Sequence, residues 1–270
     1  MADFVASYET MIRLAMFVGV FALMGALEAL FPRKSRTQPR LKRWATNLGI
    51  VVTYSVFVRI LFPVAAMGTA LFAASKGWGL LNWLDLPLWA NLVIAVVLLD
   101  FAIYWQHVAS HKIPLIWVFH KMHHADRDID VSTGARFHPI EIAASMVYKM
   151  LVILLVGPAV VAVFVFELIL SASAMFNHAN VKLPLGLDKA LRVLFVTPDM
   201  HRVHHSVIRK ETDSNYGFFL SLWDRIFGSY IDQPKGGHDG VIIGLTPHQN
   251  NKPSNILWCL WHPFMKKYWR

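Results

Sequence analysis

Nine of the thirteen histidines sit in four short groups whose spacing suits metal binding. His107 and His111 are four residues apart. His120, His123 and His124 repeat the pattern HxxHH, and so do His201, His204 and His205. His178 stands in Asn177-His178-Ala179-Asn180. On a helix, residues three and four apart share one face, so each group presents its rings in one direction. Neutral imidazole is a ligand for Fe, Zn, Cu or Ni and a poor one for Mg or Ca. Nine rings suffice for two ions with a position left for water or dioxygen. Packing alone does not select imidazole, because burying it without partners costs free energy. Isolated histidines such as His238, His248 and His262 read as surface or packing residues.

The elements that must carry these rings are apolar. Hydrophobic residues make up 56% of the 270, charged residues 16%, and mean hydropathy is +0.44; soluble domains are near a quarter charged. Apolar blocks run over about 11–31, 47–74 and 88–105, each long enough to cross a hydrocarbon core as a helix. A fourth, about 142–176, is too long for one crossing and is broken at Gly157-Pro158, which predicts a hairpin of two helices. The expected fold is all-α and integral to the membrane: three transmembrane helices plus a helical hairpin, with a histidine-rich helical cap in the cytosol.

The segment 33–43 has six basic residues and no acid, which by the positive-inside rule places it in the cytoplasm. The N-terminus is then outside, and every histidine group falls at a cytoplasmic helix end. The first ten residues carry Asp3 and Glu9 and no Lys or Arg, the reverse of a cleaved signal. The net charge of +9 sits beside apolar blocks and suits anionic lipid, not nucleic acid. A single cysteine, Cys259, leaves no disulfide framework and no thiolate zinc site. Asp100 precedes His107 by two helical turns, placed either to hydrogen-bond a ligand ring or to serve as a structural partner for Lys or Arg. Lys149 and Glu167, on opposite hairpin arms, are expected to pair.

The histidine groups, with Arg136-Phe137-His138-Pro139-Ile140-Glu141, Thr197-Pro198-Asp199-Met200, Asn215-Tyr216-Gly217 and Trp223-Asp224-Arg225-Ile226-Phe227-Gly228, resemble the fatty acid hydroxylase superfamily, which includes sterol desaturases and C-4 methyl sterol oxidases. The resemblance covers about 95–232. It divides the chain into an N-terminal transmembrane region (1–94), a catalytic domain (95–232) and a cytosolic tail (233–270). It implies two iron ions, replaceable by zinc on purification, and dioxygen as co-substrate. By motif position His107, His111, His120, His123, His124, His201, His204 and His205 carry over as ligands, and His178 takes the place of an intervening histidine. His138 is either a ligand or a group orienting one; Asp100, Asn180 and Asp199 are the other candidates for orienting side chains. Val108 departs from the arginine that members often carry there.

The resemblance implies hydroxylation or desaturation of a lipid C–H bond, a bond too strong for side-chain acid–base chemistry alone. Fatty acyl, sterol and related chains are all candidate substrates. No dinucleotide motif is present, so electrons come from an external donor of the cytochrome b5, ferredoxin or flavin reductase type. Tyr104, Trp105, Trp117 and Phe119 are candidates to line the substrate route, with membrane-interface anchoring the other reading for Trp105 and Trp117. A bacterial inner membrane is the favoured location, the endoplasmic reticulum if the source is eukaryotic. Two other readings stay open: a zinc-dependent lipid hydrolase or isomerase, although HExxH is absent, and a membrane protein that binds or transports metal without catalysis.

Overall fold

The computed structural model describes residues 2–265. Helix α1 (Ala2–Leu30) stops just before Pro32, and α2 (Arg40–Leu61) starts after Pro39. Then come α3 (Ala65–Lys76), the single turn α4 (Leu80–Trp83), α5 (Leu88–Lys112) and α6 (Pro114–His124). The hairpin is α7 (Pro139–Val156) and α8 (Val160–His178); the short α9 (Leu185–Leu191) and α10 (Pro198–His204) follow. Proline opens α6, α7 and α10, at the position where its missing N–H costs nothing. No strand forms among the described residues, only isolated bridges such as Pro32 with Val181.

Five stretches are long and apolar enough to span a membrane: 7–30, 40–83, 88–112, 139–156 and 160–178. These are the three crossings and two hairpin arms expected, so the protein is an all-α, multi-pass membrane protein. The second crossing differs from an unbroken helix over 47–74. It breaks at Phe62-Pro63-Val64 into α2 and α3, because Pro63 has no N–H for the ladder and crowds the preceding turn. Ala65, just past the break, holds a left-handed φ of 50°.

Helix α8 is the centre of the bundle and packs on α1, α3, α5 and α10. Between α8, α5, α3 and α7 lies an apolar core that includes Ala66, Ala70, Leu99, Ile103, Ile153, Val163 and Phe166. Large apolar side chains also face outward at helical spacing: Met11, Leu14 and Val18 on α1, Val52, Val56 and Ile60 on α2, Val147, Leu151 and Leu155 on α7. Such stripes would be a liability in water and are what a lipid-facing surface requires.

The hairpin turn is fixed by a close backbone approach. Gly157 caps α7 with φ 64°. A Cβ there would lie 2.6 Å from the Trp78 carbonyl oxygen and 2.9 Å from the Gly79 carbonyl carbon. Gly157→Ala is expected to lower stability by more than the ~1–2 kcal/mol of left-handed geometry alone, because backbone must also move. A thermal midpoint equal to the wild type's would contradict this.

The basic segment 33–43 does structural work beyond any contact with lipid. Arg33 pairs with Asp199 at 3.0 Å, Arg36 and Arg40 reach Glu28, and Arg43 binds Asp126 and Asp130. Glu28, fully buried, also accepts from the backbone N–H groups of Val131 (2.6 Å) and Asn180 (3.0 Å). These bonds tie the ends of α1 and α2 to the 125–138 loop and to the end of α8, where the histidines are.

Candidate metal centre

The nine histidines converge at one end of the bundle. His107 and His111 come from the last turns of α5, His120, His123 and His124 from the end of α6, and His178 is the last residue of α8. His201 and His204 lie on α10, and His205 follows it. All nine are buried, none more than 4% exposed. They form two cages. His107, His111, His120, His124 and His204 bring five ring nitrogens within 4.8 Å of one another; His123, His178, His201 and His205 bring four.

The nitrogens are set for metal. His178 Nε2 is 3.1 Å from His123 Nε2, 3.1 Å from His201 Nε2 and 3.2 Å from His205 Nε2. Nitrogens bound about 2.1 Å from one ion lie roughly 3.0–3.4 Å apart in octahedral or tetrahedral arrays. Four of the outer nitrogens are held by the main chain. Nδ1 donates to a main-chain carbonyl in His107 (Tyr216, 2.7 Å), His123 (Arg136, 3.1 Å), His178 (Ala174, 2.6 Å) and His204 (Ser214, 2.6 Å). Those bonds fix the tautomer with the lone pair on Nε2. In His107 and His204 that Nε2 is buried and has no hydrogen-bond partner among the described residues, which fits a metal-ligand atom. The donor set therefore fits two ions, and its all-imidazole character suits iron or zinc.

Electrostatics agree. Burial, then repulsion among neighbouring rings, holds His123, His124, His201 and His205 well below the ordinary imidazole range; burial likewise brings His204 down to about 3. These rings are neutral at pH 7, and metal binding needs neutral rings.

Glu141, quoted above only as part of a motif, grips the cage directly. Its Oε1 accepts from His120 Nδ1 at 2.6 Å. The signal was the spacing His138-Pro139-Ile140-Glu141, which puts a carboxylate in the first turn of α7. Glu141→Gln should weaken metal retention roughly 10–100-fold, as loss of such outer partners does. Competition with a chelator reads this directly, and unchanged retention would remove Glu141 from the centre.

The other sequence candidates lie around the cages. Asp100 contacts no imidazole among the described residues. It accepts from the backbone of Phe219 and Leu220 and from Trp223 Nε1 at 2.8 Å, and so holds the C-terminal stretch. His138 stands outside both cages: its Nδ1 accepts from Ile140 N–H and caps α7, and its Nε2 meets the Leu260 carbonyl. Asn180 bonds the Lys34 backbone in both directions. Asp199 binds Arg33 and Arg202. The NYG stretch has a physical task. Asp224 accepts from the N–H groups of Tyr216 (2.7 Å) and Gly217 (2.9 Å), which aims the Tyr216 carbonyl at His107.

A cavity of about 840 Å³ leads away from the cages. His107, His120, Ser110, Phe137 and Glu141 line one end of it. Tyr104, Trp105, Trp117 and Phe119, the aromatics expected along the route, do not line it. Trp117 instead packs on the far side of the cage, with its ring 5.0 Å from His111 and 5.6 Å from His124. The aromatics that do line it are Phe17, Tyr54, Phe137 and Phe218, and Phe137 also stacks on His123 at 4.5 Å. They were missed because they come from loops and helices far apart in sequence.

A fatty acid hydroxylase profile matches residues 92–229. The chain is 32% identical to human alkylglycerol monooxygenase over 171 residues, 61% of this chain and 36% of that protein. It is 28% identical to the ornithine lipid hydroxylase OlsE of Rhizobium tropici over 160 residues, 59% of this chain and 47% of that one. It is also 28% identical to the very-long-chain aldehyde decarbonylase GL1-11 of Oryza sativa over 228 residues, 79% of this chain and 82% of that one. The chain thus spans between about a third and a half of the length of the first two relatives. No solved structure matches it. With its histidine boxes gathered into two cages and the profile covering just over half its length, the chain belongs to the fatty acid hydroxylase family.

Proposed function

We propose that the protein is a dioxygen-dependent di-iron oxidoreductase that hydroxylates or desaturates a C–H bond of a membrane lipid. The observation that carries this reading is the pair of all-imidazole cages bordering a largely apolar cavity. The named activities of the relatives, oxidation of alkylglycerol and hydroxylation of ornithine lipid, support it. His107, His111, His120, His124 and His204 would hold one ion, and His123, His178, His201 and His205 the other. When bound, the pair supplies reductive activation of dioxygen for an attack on an unactivated C–H bond.

The protein's own residues do the rest. His107 and His120 are the cage rings that also border the cavity, so a lipid carbon is presented to the five-histidine side. Ile103, Ile142, Met146 and Met175 line the passage and exclude water around the chain. Tyr216 and Ser214 carbonyls and Glu141 keep three rings oriented, which holds the geometry within the narrow tolerance that catalysis needs. Electrons are supplied by a separate carrier of the cytochrome b5, ferredoxin or flavin reductase type. The histidine end faces the cytoplasm in this reading, on the side of the basic 33–43 segment.

The test is turnover of the purified, reconstituted protein on extracted lipids under ¹⁸O₂, with metal analysis on the same sample. Two irons per chain, and a product that appears only with dioxygen and reductant, are expected. Hydroxylation retains ¹⁸O and desaturation does not. Lipid conversion by the zinc form without dioxygen would overturn the proposal in favour of a hydrolase or isomerase.

A further inference from the structure

The cavity does not end in apolar residues. At its far end it meets Glu9 and Arg13 of α1, Arg59 of α2, Lys149 of α7 and Glu167 of α8. Four of these five neutralise one another. Glu167 accepts from Arg13 at 2.7 Å through one oxygen and from Lys149 at 2.7 Å through the other, and Arg13 Nε donates to Glu9 at 2.9 Å. Arg59 is left over. It lines the cavity from the last turn of α2, where it is exposed, and among the described residues no hydrogen bond or ion pair engages its guanidinium. Three cations thus stand against two carboxylates, within helices that span the membrane. A cation with no counter-charge at the end of a spanning helix draws an anionic group to it.

The backbone at this end is also shaped. Arg59 sits one turn before the α2–α3 break, and Pro63, Val64 and the left-handed Ala65 line the cavity beside it. The break opens the wall next to the free cation. Distance sets the size of the guest. Glu167 lies eleven residues before His178 on α8, roughly 16 Å at 1.5 Å per residue. That is about half of a ~30 Å hydrocarbon core, the depth that the chain of one lipid fills.

We propose that this end of the cavity is an anion subsite, in which Arg59, backed by Arg13 and Lys149, holds the acidic group of a single-chain amphiphile whose hydrocarbon runs to His107 and His120. The inference rests on the cavity being the substrate chamber of the metal centre. It adds a polarity: the acidic end lies away from the metals, and the carbon offered to the cage is remote from it. The anion is a carboxylate or a phosphate, since a guanidinium fork binds both.

The test is binding, not turnover, with the full-length metal-loaded protein in nanodiscs. The probes are palmitate, hexadecyl phosphate and hexadecanol, which share a chain and differ at one end. Palmitate or hexadecyl phosphate should bind roughly 10–100-fold more tightly than hexadecanol, the worth of one charge-assisted hydrogen bond. Arg59→Gln should erase that preference and leave hexadecanol binding and iron content as they were; Arg59→Lys should restore part of it. The better of the two acids identifies the anion. Equal affinity for acid and alcohol in the wild type, or an undiminished preference in Arg59→Gln, would overturn the proposal. Arg59 would then be an interfacial anchor. Should Arg59→Gln not fold, palmitate against its methyl ester on the wild type decides, with empty nanodiscs correcting for partition. Iron content and ¹⁸O incorporation are read separately, so this subsite can fail while the oxygenase reading stands.

Discussion

His178→Ala is expected to reduce bound metal from two ions to one and to abolish turnover. The reason is its position. Its Nε2 lies within 3.2 Å of three other ring nitrogens, so it is common to every edge on that side of the four-histidine cage. Three remaining rings hold an ion weakly, while the five-histidine cage keeps all its donors. The loss of affinity should exceed the roughly 10–100-fold typical of an outer partner. The fold should survive, because among the described residues the ring's one hydrogen bond outside the cage goes to Ala174 on its own helix. Elemental analysis with circular dichroism makes the check. Two retained ions with wild-type turnover would mean that the cage is misassigned.

The second large effect is on stability. Arg43 is fully buried and binds Asp126 in a two-pronged pair at 2.8 and 2.8 Å, with Asp130 on its other arm. Arg43→Met removes one side of a buried ion cluster, which costs about 3–5 kcal/mol because the carboxylates are left uncompensated. The pH dependence follows in sign. Burial pushes the Asp126 carboxyl up, but the Arg43 guanidinium outweighs it and holds the group well below the usual carboxylate range. The stabilisation is therefore complete above the unfolded value of about 3.9 and is lost as pH falls below it. In Arg43→Met the burial effect is opposed only by Arg136 and the Thr133 and Asn47 donors, so acid should destabilise the variant less than it destabilises the wild type. Thermal midpoints in detergent between pH 3 and 7 distinguish the two. Parallel curves would show that the cluster contributes little.

What was readable in the sequence follows from range. The helices were legible because their apolar runs are long and their ends are marked by Pro32, Pro39, Pro87, Gly157 and Pro158. The break at Pro63 was missed because the surrounding run stays apolar and hides a single residue. The family was legible in HxxHH spacing, since helical periodicity is a local property. The grouping of rings into five and four was not, because it depends on how α10 meets α5 and α8. The pairing of Lys149 with Glu167 was expected and is present at 2.7 Å, but Arg13, 154 residues from Glu167, joins it unannounced. Asp100 had the correct helical face for an imidazole and a nearer claim from the Phe219 and Leu220 N–H groups and the Trp223 indole. A carboxylate takes the donors that tertiary packing delivers, and spacing along one helix does not reveal them.

Four of the cage rings are tautomer-locked by peptide oxygens, those of Ala174, Arg136, Ser214 and Tyr216. A peptide oxygen is present whatever residue occupies the position. Evolution can therefore exchange the side chains at 174 and 214 without altering the basicity of the rings they steady. What must be inherited is the path of the main chain. Relatives with under a third of their residues in common can thus keep the same electronic character at the centre while remodelling the chamber beside it for a different guest.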